Sequence, residues 1–131
     1  MVAPALEAAR ELAANKIEAT VVNARFAKPL DSALIIDLTR GIKRLVTVEE
    51  NTISGGFGSS VAKFLQDSGI GALQVKSIGI PDEFVEQGTQ ATLRTKYRLD
   101  AKGIAQQVLN LFPGHKSGSL LEVKGKVGTV P

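Results

Sequence analysis

Apolar positions along this chain switch between a helical and an extended rhythm, and most switches fall at a glycine, a proline or a capping residue. Leu6, Ala9, Leu12 and Ala13 recur at helical spacing, behind a Pro4 whose missing N–H costs nothing in a first turn. They predict a helix running to about Asn15. Ala19 to Asn23 is apolar and β-branched and predicts a buried strand. Asp31 or Ser32 caps a second helix with Leu34, Ile35 and Leu38 on its apolar face, and Gly41 ends it. Leu45 to Val48 is the next strand, and Ser59 or Ser60 leads into a helix carrying Val61, Phe64 and Leu65. Gly69 and Gly71 break the chain before a strand from Leu73 to Ile78. Beyond Pro81-Asp82 the pattern is helical in short pieces. One turn holds Phe84 and Val85, another spans Thr92 to Tyr97, and Asp100 caps a final helix bearing Ile104, Val108, Leu111 and Phe112.

Alternation of helix and strand at this spacing predicts an α/β fold: a three-layer, mostly parallel open sheet with helices on both faces. The 131 residues suffice for one domain. A Pro113-Gly114 stop divides a body, residues 1–112, from a tail, residues 113–131. Only three clear strands precede that tail, and few strands leave bare edges that invite pairing. The tail offers one more candidate strand, Ser119 to Val123, flanked by glycines.

Composition narrows the function. No apolar run approaches the roughly 20 residues of a membrane span, and the first residues lack the basic flank and apolar core of a signal peptide. Cysteine is absent, which removes disulfides, thiolate catalysis and thiolate metal sites and fits a cytoplasmic location. The net charge of +3 owes much to the tail, where three lysines face only Glu122. Elsewhere lysine and arginine are interleaved with acids, Trp is absent and Tyr97 is the sole tyrosine. That pattern predicts a solvated mixed-charge surface rather than a nucleic-acid platform.

Chemistry-bearing residues gather at three predicted strand ends, where ligands and partners of open α/β sheets collect. Arg25, Lys28 and Asp31 surround Pro29 after the first, suiting a positioning ion pair or an interdomain contact better than an anion site. Glu49 and Glu50 end the second and lead to the Gly55-Gly56-Phe57-Gly58 turn. No Gly-Lys-Ser/Thr follows, so the turn is no P-loop, and Val61 stands where a dinucleotide fingerprint needs glycine or alanine. Adjacent strand carboxylates point to opposite faces, so they suit one reacting atom poorly. The expectation is that one caps backbone amides of the turn while the other faces a partner. Pro81 and Asp82 close the third strand. Ser54, Ser59 and Ser60 have no histidine in the body to activate them, because the only histidine is His115. Catalytic, cofactor-binding and metal-ligating residues are therefore expected to be absent from this chain, leaving the eleven strand-end residues from Arg25 to Asp82 as interface candidates.

Three blocks carry a family likeness: Val22-Asn-Ala-Arg-Phe-Ala-Lys-Pro-Leu-Asp31; Val46-Thr-Val-Glu-Glu-Asn51 with Gly55-Gly-Phe-Gly-Ser-Ser-Val61; and Gly79-Ile-Pro-Asp82. With Pro4 to Ala9 and the Asp100 helix, the chain over about residues 1–112 resembles the carboxyl-terminal domain of the 1-deoxy-D-xylulose-5-phosphate synthases, which are transketolase-like thiamine diphosphate enzymes. The resemblance implies a parent dimer that condenses pyruvate with glyceraldehyde 3-phosphate and loses carbon dioxide. Its thiamine diphosphate and magnesium would lie in the preceding domains, against which this one packs. The isolated chain is expected to be inactive and to self-associate. A strand ending in Gly-x-Met-Val normally opens the family domain, and here only Met1-Val2 of it remains. The rival reading is a free-standing α/β module that binds a small anion or nucleotide at its strand-end loops.

Overall fold

The computed structural model describes residues 1–112, so the Ser119–Val123 candidate strand and His115 lie outside the described residues. The order is α1 (Val2–Ala14), α2 (Ser32–Thr39), β1 (Arg44–Thr52), α3 (Phe57–Asp67), β2 (Gln74–Ile80), α4 (Gln90–Lys96) and α5 (Ala101–Leu109). β1 and β2 run parallel, in register from Arg44 opposite Gln74 to Val48 opposite Ile78. They form a two-stranded sheet with helices on both faces.

Side-chain alternation along the strands builds the layers. Val46, Val48, Ile78 and Ile80 turn to one face and join the core cluster of α1 and α5, which includes Ala8, Leu12, Ile104, Ala105 and Leu109. Two alanines, Ala8 and Ala105, are almost completely buried there and let the helices approach. Thr47 and Ser77 turn to the other face, where their hydroxyls bond at 3.1 Å beneath Gly58 of α3. Val61 and Leu65 are the buried apolar residues of α3.

Capping follows the local sequence. The carboxylate of Asp31 accepts from the Leu34 N–H at 3.0 Å and that of Asp100 from Gly103 at 2.9 Å, each satisfying an amide with no intrahelical partner. α3 begins two residues earlier than its serines suggest, capped by Gly56.

Two expectations fail. Ala19 to Asn23 is irregular and mostly exposed rather than a strand. β-rich composition stabilises a strand only where another strand supplies the ladder. Between this segment and β1 lies instead a groove of about 780 Å³, lined by residues from both. Phe84 and Val85 form no helical turn; residues 81–89 are an exposed loop. Pro81, Asp82 and Gly88 break the pattern there, and the next helix starts only where Thr89 supplies a cap to Thr92 N–H at 3.2 Å.

Candidate functional site

The carboxyl ends of β1 and β2 carry the densest polar construction of the described chain. Register breaks between Val48 and Thr52, where four steps of β1 match two of β2 from Ile78 to Ile80. Such a bulge re-aims side chains at a strand end. It sends Glu49 inward and Glu50 outward.

Glu49 is 7% exposed. Its two oxygens accept from the Phe57 N–H at 2.8 Å and the Gly58 N–H at 2.9 Å. These are unsatisfied first-turn amides of α3, where the positive end of the helix dipole also favours an anion. The carboxylate thus occupies the place a phosphate would take. Close approach is what the glycines supply. A Cβ on Gly56 would overlap the Glu49 carboxylate and the Thr52 carbonyl, and one on Gly58 would overlap the Thr47 and Ser77 hydroxyls. Gly79 lies against the Asn51 carbonyl and the Glu49 side chain at about 3 Å. Gly55 instead has φ of 72°, the left-handed region in which a side chain is strained.

Glu50 faces the other way and is clamped by α4. Arg94 donates from Nε at 2.9 Å and from Nη2 at 2.8 Å in a bidentate pair, and Gln90 adds a bond at 3.3 Å. The Arg94 hydrogen bond holds the Glu50 carboxyl below the usual carboxylate value, while partial burial opposes it. The serines are spent on backbone: Ser59 donates to the Ile53 carbonyl at 2.6 Å and Ser60 to that of Gly56 at 3.2 Å.

The other candidates lie apart from this cluster. Arg25 has φ of 55° and its N–H donates to the Asn23 side chain at 3.2 Å. Lys28 precedes Pro29 across a cis peptide bond. The ion pair expected around Pro29 does not form within the described residues. Asp31 caps α2, and the Arg25 and Lys28 side chains reach solvent. Pro81 and Asp82 open the exposed loop after β2, in which Phe84 is fully exposed. The sequence reading passed over Phe84 as a core residue of a short helix, and over Arg94 entirely. An isolated phenylalanine between acids in a proline-bounded stretch was the available signal for the first. For Arg94, 44 residues from its partner, the sequence held none.

Among the described residues no group of three or more His, Cys, Asp or Glu converges as metal ligands would, and no helix is long and apolar enough to cross a membrane.

Comparison with known proteins agrees with this architecture. The family described as "Transketolase, C-terminal domain" matches residues 1–104. A 1-deoxy-D-xylulose-5-phosphate synthase of Syntrophus aciditrophicus is 48% identical over 117 residues, covering 89% of this chain and 18% of that protein. In Geobacter sulfurreducens, 1-deoxy-D-xylulose-5-phosphate synthase 1 is 54% identical over 104 residues, 79% of this chain and 16% of that protein. The chain thus spans less than a fifth of these relatives. A solved structure titled "Split gene transketolase, inactive beta4 tetramer" superposes with a TM-score of 0.73 at 36% identity, covering 83% of this chain and 34% of the other. With the parallel sheet, its helical layers and the Glu49-braced glycine turn in place, the chain belongs to the transketolase carboxyl-terminal domain family.

Proposed function

We propose that this chain is the carboxyl-terminal interaction and scaffolding domain of a 1-deoxy-D-xylulose-5-phosphate synthase. In that role the chemistry is the parent's: pyruvate and glyceraldehyde 3-phosphate condense with loss of carbon dioxide, on thiamine diphosphate and magnesium held by preceding domains. This chain packs against those domains in a cytoplasmic homo-oligomer and is inactive alone.

The observation that carries the reading is the closure of α3's amino end by Glu49. A loop that binds a phosphate or diphosphate keeps its amides open; here Phe57 and Gly58 both donate to an internal carboxylate. Magnesium finds no better welcome, since Glu49 and Glu50 diverge and each is already bonded. What the strand ends present outward is the Glu50–Arg94 clamp and an exposed loop bearing Phe84, features of a surface that meets protein.

The test is reconstitution. The chain alone should release no carbon dioxide from pyruvate and glyceraldehyde 3-phosphate, and co-expression with a synthase truncated before this domain should restore turnover. Ligands supply the second arm. At a hundred times its dissociation constant a bound ligand adds about 2.7 kcal/mol of stability. Thiamine diphosphate, nucleotides and sugar phosphates should each leave the melting temperature of the isolated chain unchanged. Turnover by the chain alone, or a ligand-induced shift of that size, overturns the proposal in favour of an autonomous binding module.

A further inference from the structure

β1 is hydrogen-bonded along one edge only; among the described residues no strand lies on the other. That edge opens into the groove of about 780 Å³, whose walls are apolar: Leu12 and Ile17, Val22, Leu34 and Leu38. Val22, Phe26, Leu34 and Ile42 are all more than a third exposed. The groove therefore offers an unpaired β edge and uncovered apolar side chains in one place, the combination that accepts an added strand.

The chain itself runs toward this groove. Leu111 and Phe112, the last described residues, line it. They are held at the amino end of β1, where Arg44 donates to the Leu111 carbonyl at 3.2 Å and its guanidinium lies 4.1 Å from the Phe112 ring centre. Nineteen residues follow Phe112. Six of them separate it from Ser119, enough for about 20 Å of extended chain, and β1 itself is about 30 Å long. Ser119-Leu-Leu-Glu-Val123 is the one run in that tail with consecutive apolar residues, and Gly118 and Gly125 lie on either side of it. A strand that starts from the amino end of β1 runs parallel to it, in the same sense as β2.

We propose that Ser119–Val123 of this chain enters the groove as a third parallel strand on the free edge of β1. Leu121 and Val123 then share the face of Val46 and Val48 and extend the apolar layer over α1 and α5. This inference does not rest on the proposed function; a chain inactive by itself and one with an autonomous ligand site would close the groove alike.

Because the chain contains no cysteine, engineered thiols report unambiguously. In the full chain, Val46→Cys combined with Leu121→Cys or with Val123→Cys should form an intramolecular disulfide in the monomer under mild oxidation, since neighbouring strands bring Cα atoms within bridging range. Val46→Cys combined with Val130→Cys should not. Hydrogen exchange on the unaltered chain gives a readout free of substitution: amides of residues 120–123 should be protected about 100-fold or more over an unfolded peptide. Deleting residues 115–131 should lower the melting temperature, and a peptide of residues 117–126 added in trans should restore it. Unprotected amides in 120–123, bridging that is only intermolecular, or a truncated chain with an unchanged melting temperature would each overturn the proposal. The last two results would give the groove to a second copy or to another polypeptide segment.

Discussion

Glu49 and Glu50 are neighbours in sequence with separate tasks, and substitution should separate them. Glu49→Ala leaves two α3 amides without their acceptor in a nearly closed site. Hydrogen bonds to charged groups contribute about 1.5–3 kcal/mol each, so the loss should be about 3 kcal/mol, read as a lower urea midpoint. Gly58→Ala should cost about 1–3 kcal/mol through overlap with Thr47 and Ser77. Gly55→Ala has open space around it and should cost about 1 kcal/mol through its positive φ alone. Glu50 governs pH dependence instead. Its folded value is lowered from 4.5, chiefly by Arg94. The clamp therefore stabilises above the unfolded value, and that contribution disappears as pH falls through the folded one. Arg94→Met should be less stable than the parent at neutral pH, and the gap should close in acid; denaturation midpoints measured across that range check it. Both pairs show how far residue-level reading reaches. That adjacent carboxylates diverge follows from strand geometry, and a cap for the glycine turn follows from its unsatisfied amides. That Arg94 takes Glu50 depends on α4 folding back over the strand end.

Elements were legible wherever local signals agreed. α1, β1, α3, β2 and α5 follow from periodicity and from caps such as Asp100, because these act within one turn or one strand. The helix predicted over Thr92 to Tyr97 exists too, although it starts at Gln90. Ala19 to Asn23 was misread for the opposite reason: a strand is a relation between two segments, and its composition is silent on whether a neighbour is present. The Phe84 turn was misread because two apolar residues can serve a helix or a loop equally well. At this scale the packing of α1 on α5 is the sensitive joint. Leu109 is 1% exposed at the centre of that core, so Leu109→Ala should destabilise by about 2–5 kcal/mol, measurable by chemical denaturation.

For the molecule as a whole, the outward features decide what it meets. Phe84 is fully exposed and contributes little to the fold, so Phe84→Ser should change stability by less than about 0.5 kcal/mol. If the loop anchors the preceding domains, the same change should weaken reconstitution with a truncated synthase by tenfold or more, because exposed aromatics at an interface centre often carry about 2 kcal/mol. A variant that folds and reconstitutes normally removes Phe84 from the interface. The sheet also matters at this scale: two strands cover little of their own edges, and the uncovered apolar groove beside β1 is the largest unfilled surface the fold presents.

The amino-acid sequence by itself determined the alternation of helices and strands, the caps at Asp31 and Asp100, the need for glycine in the turn after β1 and the family likeness. All of these are written in neighbours a few residues apart or in runs of identical residues. Only the tertiary structure decided that Glu49 fills the anion site of α3, that Arg94 clamps Glu50, that residues 19–23 pair with nothing and that Phe84 stands in solvent. Those outcomes depend on which distant segments meet, and pairing energy between distant segments is a property of the folded arrangement rather than of any local run.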